Sequence, residues 1–138
     1  MTGILVLTHG KFAEGICDAA ELIMGKIENL DYHQISHGDD FNDFQAIVVK
    51  KIQALDQGEG VLVFVDLFGA SPYNAGAVSK ADCPDVEYRL ITGLNLPMLL
   101  EACTLRKNMD VHQLAQQLLQ VGNEGIREFF TEFEKERK

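Results

Sequence analysis

Cysteine and positive charge are both scarce in this chain of 138 residues. The three cysteines, Cys17, Cys83 and Cys103, are widely spaced, odd in number and form no CxxC pair. That excludes a disulfide framework and a zinc ribbon, and it fits the reduced thiols of a cytoplasmic protein. Lys and Arg number 12 against 21 Asp and Glu, for a net charge of −9. Binding a phosphate backbone needs clustered basic residues, so no nucleic-acid partner is expected. An acidic surface allows steered docking of a partner with a basic face, although a merely solvated surface has the same composition. No apolar run approaches the ~20 residues needed to span a bilayer. The Met1-Thr2-Gly3 start has no cationic stretch, so no signal peptide is expected. P-loop, G-x-S-x-G and G-x-G-x-x-G motifs are absent. A phosphoryl group, if the chain handles one, would then come from another protein rather than from a bound nucleotide.

Apolar residues make up 46% of the chain, an ordinary share for a soluble domain long enough to bury a core. Ile4-Leu5-Val6-Leu7 reads as a fully buried strand that stops at a polar Thr8-His9-Gly10 turn. Helical spacing follows from Phe12 through Ile16, Ala19/Ala20 and Ile23, with Gly25 as its stop. Residues 30–35 form a weaker outer strand. Asp39 and Asp40 are placed to cap a helix whose apolar face is Phe41, Phe44, Ile47/Val48, Ile52 and Leu55. Val61–Val65 is the strongest strand and ends in Asp66. Ser71-Pro72 reads as an N-cap and first-turn pair opening a third helix. A fourth strand is expected over 86–91, a helix from Asn95 through Leu105, and another after the cap Asp110. From Gly122 the pattern divides: Ile126, Phe129/Phe130 and Phe133 fit a helical stripe, whereas Gly122 and Gly125 are poor helix residues.

Four strands alternating with helices imply an α/β, doubly wound, mainly parallel sheet. Helices on both faces give the flavodoxin-like order 2-1-3-4, whose switch point lies between strands 1 and 3. His9 and Asp66 end those two strands, so topology predicts an imidazole and a carboxylate at one crevice. The helix opening at Ser71 would aim free N–H groups there, a ready place for an anion. Together these suggest phosphoryl transfer through a phosphohistidine, with Asp66 fixing the tautomer of His9. Each residue alone also has a plain reading: His9 as a polar residue at the surface, Asp66 as a helix-capping or turn residue, Ser71 as an N-cap. His33 and His37 lack a third ligand, so no metal site is expected. His112 reads as solvent-facing, Cys17 and Cys103 as core thiols, and Cys83 as a loop residue. Asp66 also stands where a two-component receiver carries its phosphorylated aspartate, but receivers need an acidic pair after strand 1, and this chain has Thr8-His9-Gly10.

Three segments carry a family resemblance: Ile-Leu-Val-Leu-Thr-His-Gly at 4–10, Val-Asp-Leu-Phe-Gly-Ala-Ser-Pro at 65–72, and Thr-Gly-Leu-Asn-Leu-Pro-Met-Leu-Leu-Glu at 92–101. In this order they resemble the mannose-family enzyme IIA domain of the bacterial phosphoenolpyruvate:sugar phosphotransferase system. The resemblance implies a single IIA domain over 1–130 and a charged tail over 131–138. It implies that His9 takes a phosphoryl group on Nε2 from the phosphocarrier HPr and passes it to a IIB component, with Asp66 bonded to Nδ1. IIB would serve the membrane-embedded sugar permease, so transient association of a cytoplasmic protein with that complex is expected. No cofactor is implied. A homodimer that exchanges a short antiparallel C-terminal strand, over Gly125–Phe130 here, is implied as well.

The loop after Asp66 departs from the family, reading Leu-Phe-Gly-Ala where relatives often carry Thr-Trp-Gly-Gly. The missing hydroxyl leaves Ser71 and backbone N–H groups, Gly69 among them, as phosphate-binding donors. No Ala/Pro linker follows, so IIB is expected on a separate polypeptide. The phosphotransfer subunit of a dihydroxyacetone kinase, or a phosphate-sensing regulatory module, shares the fold and stays open. The sugar is not readable from these residues.

Overall fold

β1 (Gly3–His9) lies at the centre of a four-stranded sheet because both of its faces are apolar, and every residue from Gly3 to Thr8 is buried. The computed structural model of the chain describes residues 1–136. β1 pairs in parallel with β2 (Leu30–Ile35) and β3 (Val61–Val65), and β3 pairs with β4 (Tyr88–Ile91). The order is β2-β1-β3-β4, the flavodoxin-like arrangement expected. A parallel sheet covered on both faces needs unbroken apolar strands, which is why β1 and β3 carry no alternation.

Alternate residues of those strands feed two cores. Ile4, Val6, Leu62 and Phe64 pack with α1 (Phe12–Met24), α4 (Leu96–Leu105) and α5 (Val111–Glu124). Leu5, Leu7, Val61, Val63 and Val65 pack on the other face with α2 (Phe41–Leu55) and the side of α3 (Ser71–Val78) that carries Ala75. Asp40, Asn95 and Asp110 cap α2, α4 and α5 by accepting from the N–H groups of Asp43, Met98 and Gln113. The amino ends of the strands are closed by Arg106. Its buried guanidinium donates to the carbonyls of Thr2 at 3.1 Å and Glu28 at 2.6 Å. None of the described helices is long and apolar enough to cross a membrane.

Several expectations need correcting. His9 is the last residue of β1 rather than part of a following turn. β4 begins at Tyr88; Val86 is buried before it, in a turn whose N–H donates to the Cys83 carbonyl. Cys83 lies in the loop before β4, as expected, but its thiol is buried in the core. Burial raises the pKa of all three thiols, that of Cys17 to about 12. Gly122 lies within α5, where a Cβ would come 2.5 Å from the Met98 methyl, so glycine there lets α5 approach α4 closely.

The antiparallel strand expected over Gly125–Phe130 is not formed. Residues 126–128 are irregular, and α6 (Phe129–Glu136) is a helix opened by Glu128, whose carboxylate accepts from the Thr131 N–H. An exchanged strand needs another subunit's sheet edge for its N–H and C=O groups. A single chain satisfies them within a helix, which the spacing of Phe129 and Phe133 favours. The expected tail falls in this helix as far as Glu136, and Arg137 and Lys138 lie outside the described residues.

Candidate functional site

β1 and β3 are neighbours at the point where the direction of winding reverses, so their carboxyl ends open a crevice. Leu7 stands opposite Val65 in the ladder, with Asp66 one residue beyond Val65 and His9 two beyond Leu7. His9 and Asp66, 57 positions apart in sequence, meet there. Asp66 Oδ2 accepts the His9 backbone N–H at 3.0 Å and lies 2.9 Å from His9 Nδ1. An ionised carboxylate can only accept, so the Nδ1 nitrogen carries a proton and donates. The neutral ring then keeps its lone pair on Nε2. The imidazole side chain is 48% exposed, while Asp66 is 12% exposed. The second carboxylate oxygen, Oδ1, is buried without a hydrogen-bond partner among the described residues.

Thr8 braces this pair from beneath. It is fully buried, its Oγ1 accepts the Ala13 N–H at 2.8 Å, and the same hydroxyl donates to the His9 carbonyl at 3.3 Å. Lys11, at the N-cap of α1, makes no side-chain cap bond, so Thr8 satisfies one of the helix's free N–H groups from five residues upstream. Gly10 takes φ +53° and donates to the Ile35 carbonyl at 2.9 Å, which joins the His9 loop to the end of β2. Only glycine adopts that conformation freely.

A cleft of about 400 Å³ opens beside the ring, lined by His9, Gly10, Ile35, Ser36, His37 and Ser71. Ser71 reaches it as expected, but not as a helix cap. Ala70, extended at φ −89° and ψ 179°, is the N-cap, and Ser71 is already helical. Its hydroxyl therefore makes no cap bond and is left for the cleft. Pro72 has no N–H, so the free donors of this first turn are Ser71 and Tyr73. Gly69, with φ +79°, shapes the loop and is not among the cleft's lining residues. Its carbonyl accepts from the Asn74 side chain at 3.4 Å. Leu67 and Phe68 point outward, 60% and 73% exposed, and Phe68 packs on Tyr73 with ring centroids 4.8 Å apart.

The other histidines separate. His33 stacks on Phe44 at 4.9 Å, and burial, aided by the charge of Lys51, lowers its pKa. His112 is half-exposed and lies 3.3 Å from Glu87. His37 instead joins the cleft. Its neighbourhood with His9 was not visible in sequence, because it depends on β2 and β1 ending side by side. Thr8 was missed too; its type is that of a capping residue, but its distance from Ala13 is not that of a cap. Among the described residues no group of three or more His, Cys, Asp or Glu could hold a metal ion.

A family model described as the PTS system fructose IIA component, PTS being the phosphotransferase system, matches residues 3–119. The chain belongs to this family. Among its relatives, the sorbose-specific EIIA component of Lacticaseibacillus casei is 34% identical over 128 residues, covering 88% of this chain and 86% of that protein. The mannose-specific EIIAB component of Escherichia coli K12 is 30% identical over 125 residues, 90% of this chain. The chain spans only 38% of that protein's length. The crystal structure of phosphotransferase system component EIIA from Streptococcus agalactiae superposes with a TM-score of 0.88 at 30% identity, over 95% of this chain and 99% of that one. This IIA chain is thus a phosphotransfer component of the mannose/fructose/sorbose group.

Proposed function

We propose that His9 carries the phosphoryl group, accepting it on Nε2 from phospho-HPr and passing it to a IIB component for sugar uptake at the cytoplasmic face of the permease. The observation that carries this reading is the double hold of Asp66 Oδ2 on the His9 backbone and on Nδ1. That hold orients the ring, keeps its proton on Nδ1 and leaves Nε2 as the nucleophile. Transfer between histidines needs positioning and charge stabilisation more than covalent activation. Nε2 attacks phosphorus in line, the P–N bond to the HPr histidine breaks, and the new P–N bond forms on His9. The Nδ1 proton stays on the ring, donating to Asp66, whose charge stabilises the imidazolium character that develops. Onward transfer runs the same exchange with a IIB side chain as acceptor.

The Ser71 hydroxyl and the N–H groups of Ser71 and Tyr73 are the donors for the phosphoryl oxygens, with Gly69 setting the course of the loop. Leu67 and Phe68, directly after Asp66, and Phe12, three residues after His9, are exposed apolar residues, which suit a protein partner better than a small molecule. A second subunit is part of the same reading: it would receive the segment around Gly125–Phe130 and cover Ile126, Phe129 and Phe130, all exposed in the single chain. The test uses labelled phosphoenolpyruvate with enzyme I and HPr. Acid-labile label on the wild type and none on His9→Ala is the expected result; label persisting on His9→Ala overturns the assignment.

A further inference from the structure

Four histidines are present, and three have partners. His9 is held by Asp66, His33 is stacked on Phe44, and His112 is paired with Glu87. The fourth, His37, is exposed, and its ring makes no hydrogen bond, ion pair or ring contact among the described residues. It nevertheless lines the cleft that holds His9 and Ser71. The turn that presents it is well held. The Ser36 N–H donates to Asp39 Oδ2 at 2.7 Å, and the Asp39 N–H returns to the Ser36 carbonyl at 3.1 Å. Gly38 closes the turn with φ +84°. The Gly10 to Ile35 bond then ties the end of β2, one residue before Ser36, to the loop after His9.

Charge gives this placement a purpose. A phosphoryl group brings between one and two negative charges, about −1.5 to −2 near neutral pH, into a chain whose own net charge is −9. It would sit beside Asp66. None of the six residues lining the cleft is Lys or Arg. Apart from His9 itself, His37 is the lining residue able to become a cation. The loop after Asp66 adds no side-chain donor, because Leu67 and Phe68 carry none.

We propose that His37 contacts the phosphoryl group carried by His9. A ring N–H of His37 donates to a phosphoryl oxygen, and the protonated ring neutralises part of the charge as the group arrives and leaves. No bond to His37 forms or breaks in the transfer. The proposal rests on the reading of His9 as the phosphoryl carrier.

The test compares wild type with His37→Ala, His37→Gln and His37→Lys in the same labelling system, reading kcat and KM for phospho-HPr. A charge-assisted hydrogen bond at an exposed rim corresponds to roughly a three- to tenfold change. His37→Ala should lower kcat by that factor while KM moves little, His37→Gln should recover part of it through its N–H, and His37→Lys should recover most through its charge. Unchanged kcat in His37→Ala overturns the proposal and leaves the His9 reading intact. Equal losses in His37→Ala, His37→Gln and His37→Lys overturn it too, since they would mark a role in the turn's shape. Failure of wild type to take label, or label retained by His9→Ala, removes the His9 reading and His37 with it.

Discussion

At the scale of residues, the site depends on one carboxylate oxygen that serves two donors of the same residue. Asp66 Oδ2 takes the His9 backbone N–H and the ring Nδ1, so strand end and imidazole are fixed together. Asp66→Asn keeps the shape and one acceptor but removes the charge. The variant should fold normally. Its phosphoryl transfer should slow by roughly ten- to a hundredfold, the worth of a hydrogen bond to a charged group. Stopped-flow or quench-flow labelling reads this directly, and a rate equal to wild type would take Asp66 out of the chemistry. The meeting of His9 and Asp66 was legible in sequence because Asp66 directly follows one buried apolar run and His9 follows another by one residue. Ser71 was legible as a residue but not in its role, since a Ser-Pro pair suits either the N-cap or the first helical position. Thr8 was not legible: its use as a distant acceptor for Ala13 exists only once β1 and α1 have docked.

Elements explain where the reading of the chain succeeded and where it divided. β1, β2 and β3 emerge close to their expected bounds because their apolar runs end at Gly, Asp or polar turns. The C-terminal segment is different, because its partner decides its form. Helical spacing of Phe129 and Phe133 and the family's exchanged strand point in opposite directions, and the single chain adopts the helix. Ile126, Phe129 and Phe130 stay 68–76% exposed in that form, a patch that a stable monomer rarely leaves open. Sedimentation equilibrium should therefore report twice the monomer mass. Deletion of the chain from Gly125 onward should return it to the monomer mass. A monomeric full chain at micromolar concentration would contradict the exchange.

The whole molecule separates stability from chemistry along the strand direction. Arg106 closes the amino ends of the sheet on the carbonyls of Thr2 and Glu28. The carboxyl ends carry His9 as the last residue of β1, Asp66 just past β3, Ser71 in the first turn of α3 and His37 in the turn after β2. Leu67 and Phe68 stand exposed in the loop that follows Asp66. The central claim is that Nε2 of His9 bears the phosphoryl group while Nδ1 stays protonated against Asp66. Nitrogen-15 and phosphorus-31 NMR of the phosphorylated protein, with labelled histidine, tests it most directly. The account predicts one phosphorus coupled to Nε2 of His9 and a proton retained on Nδ1. Coupling to Nδ1, phosphate on another histidine, or an acyl phosphate at Asp66 would contradict it.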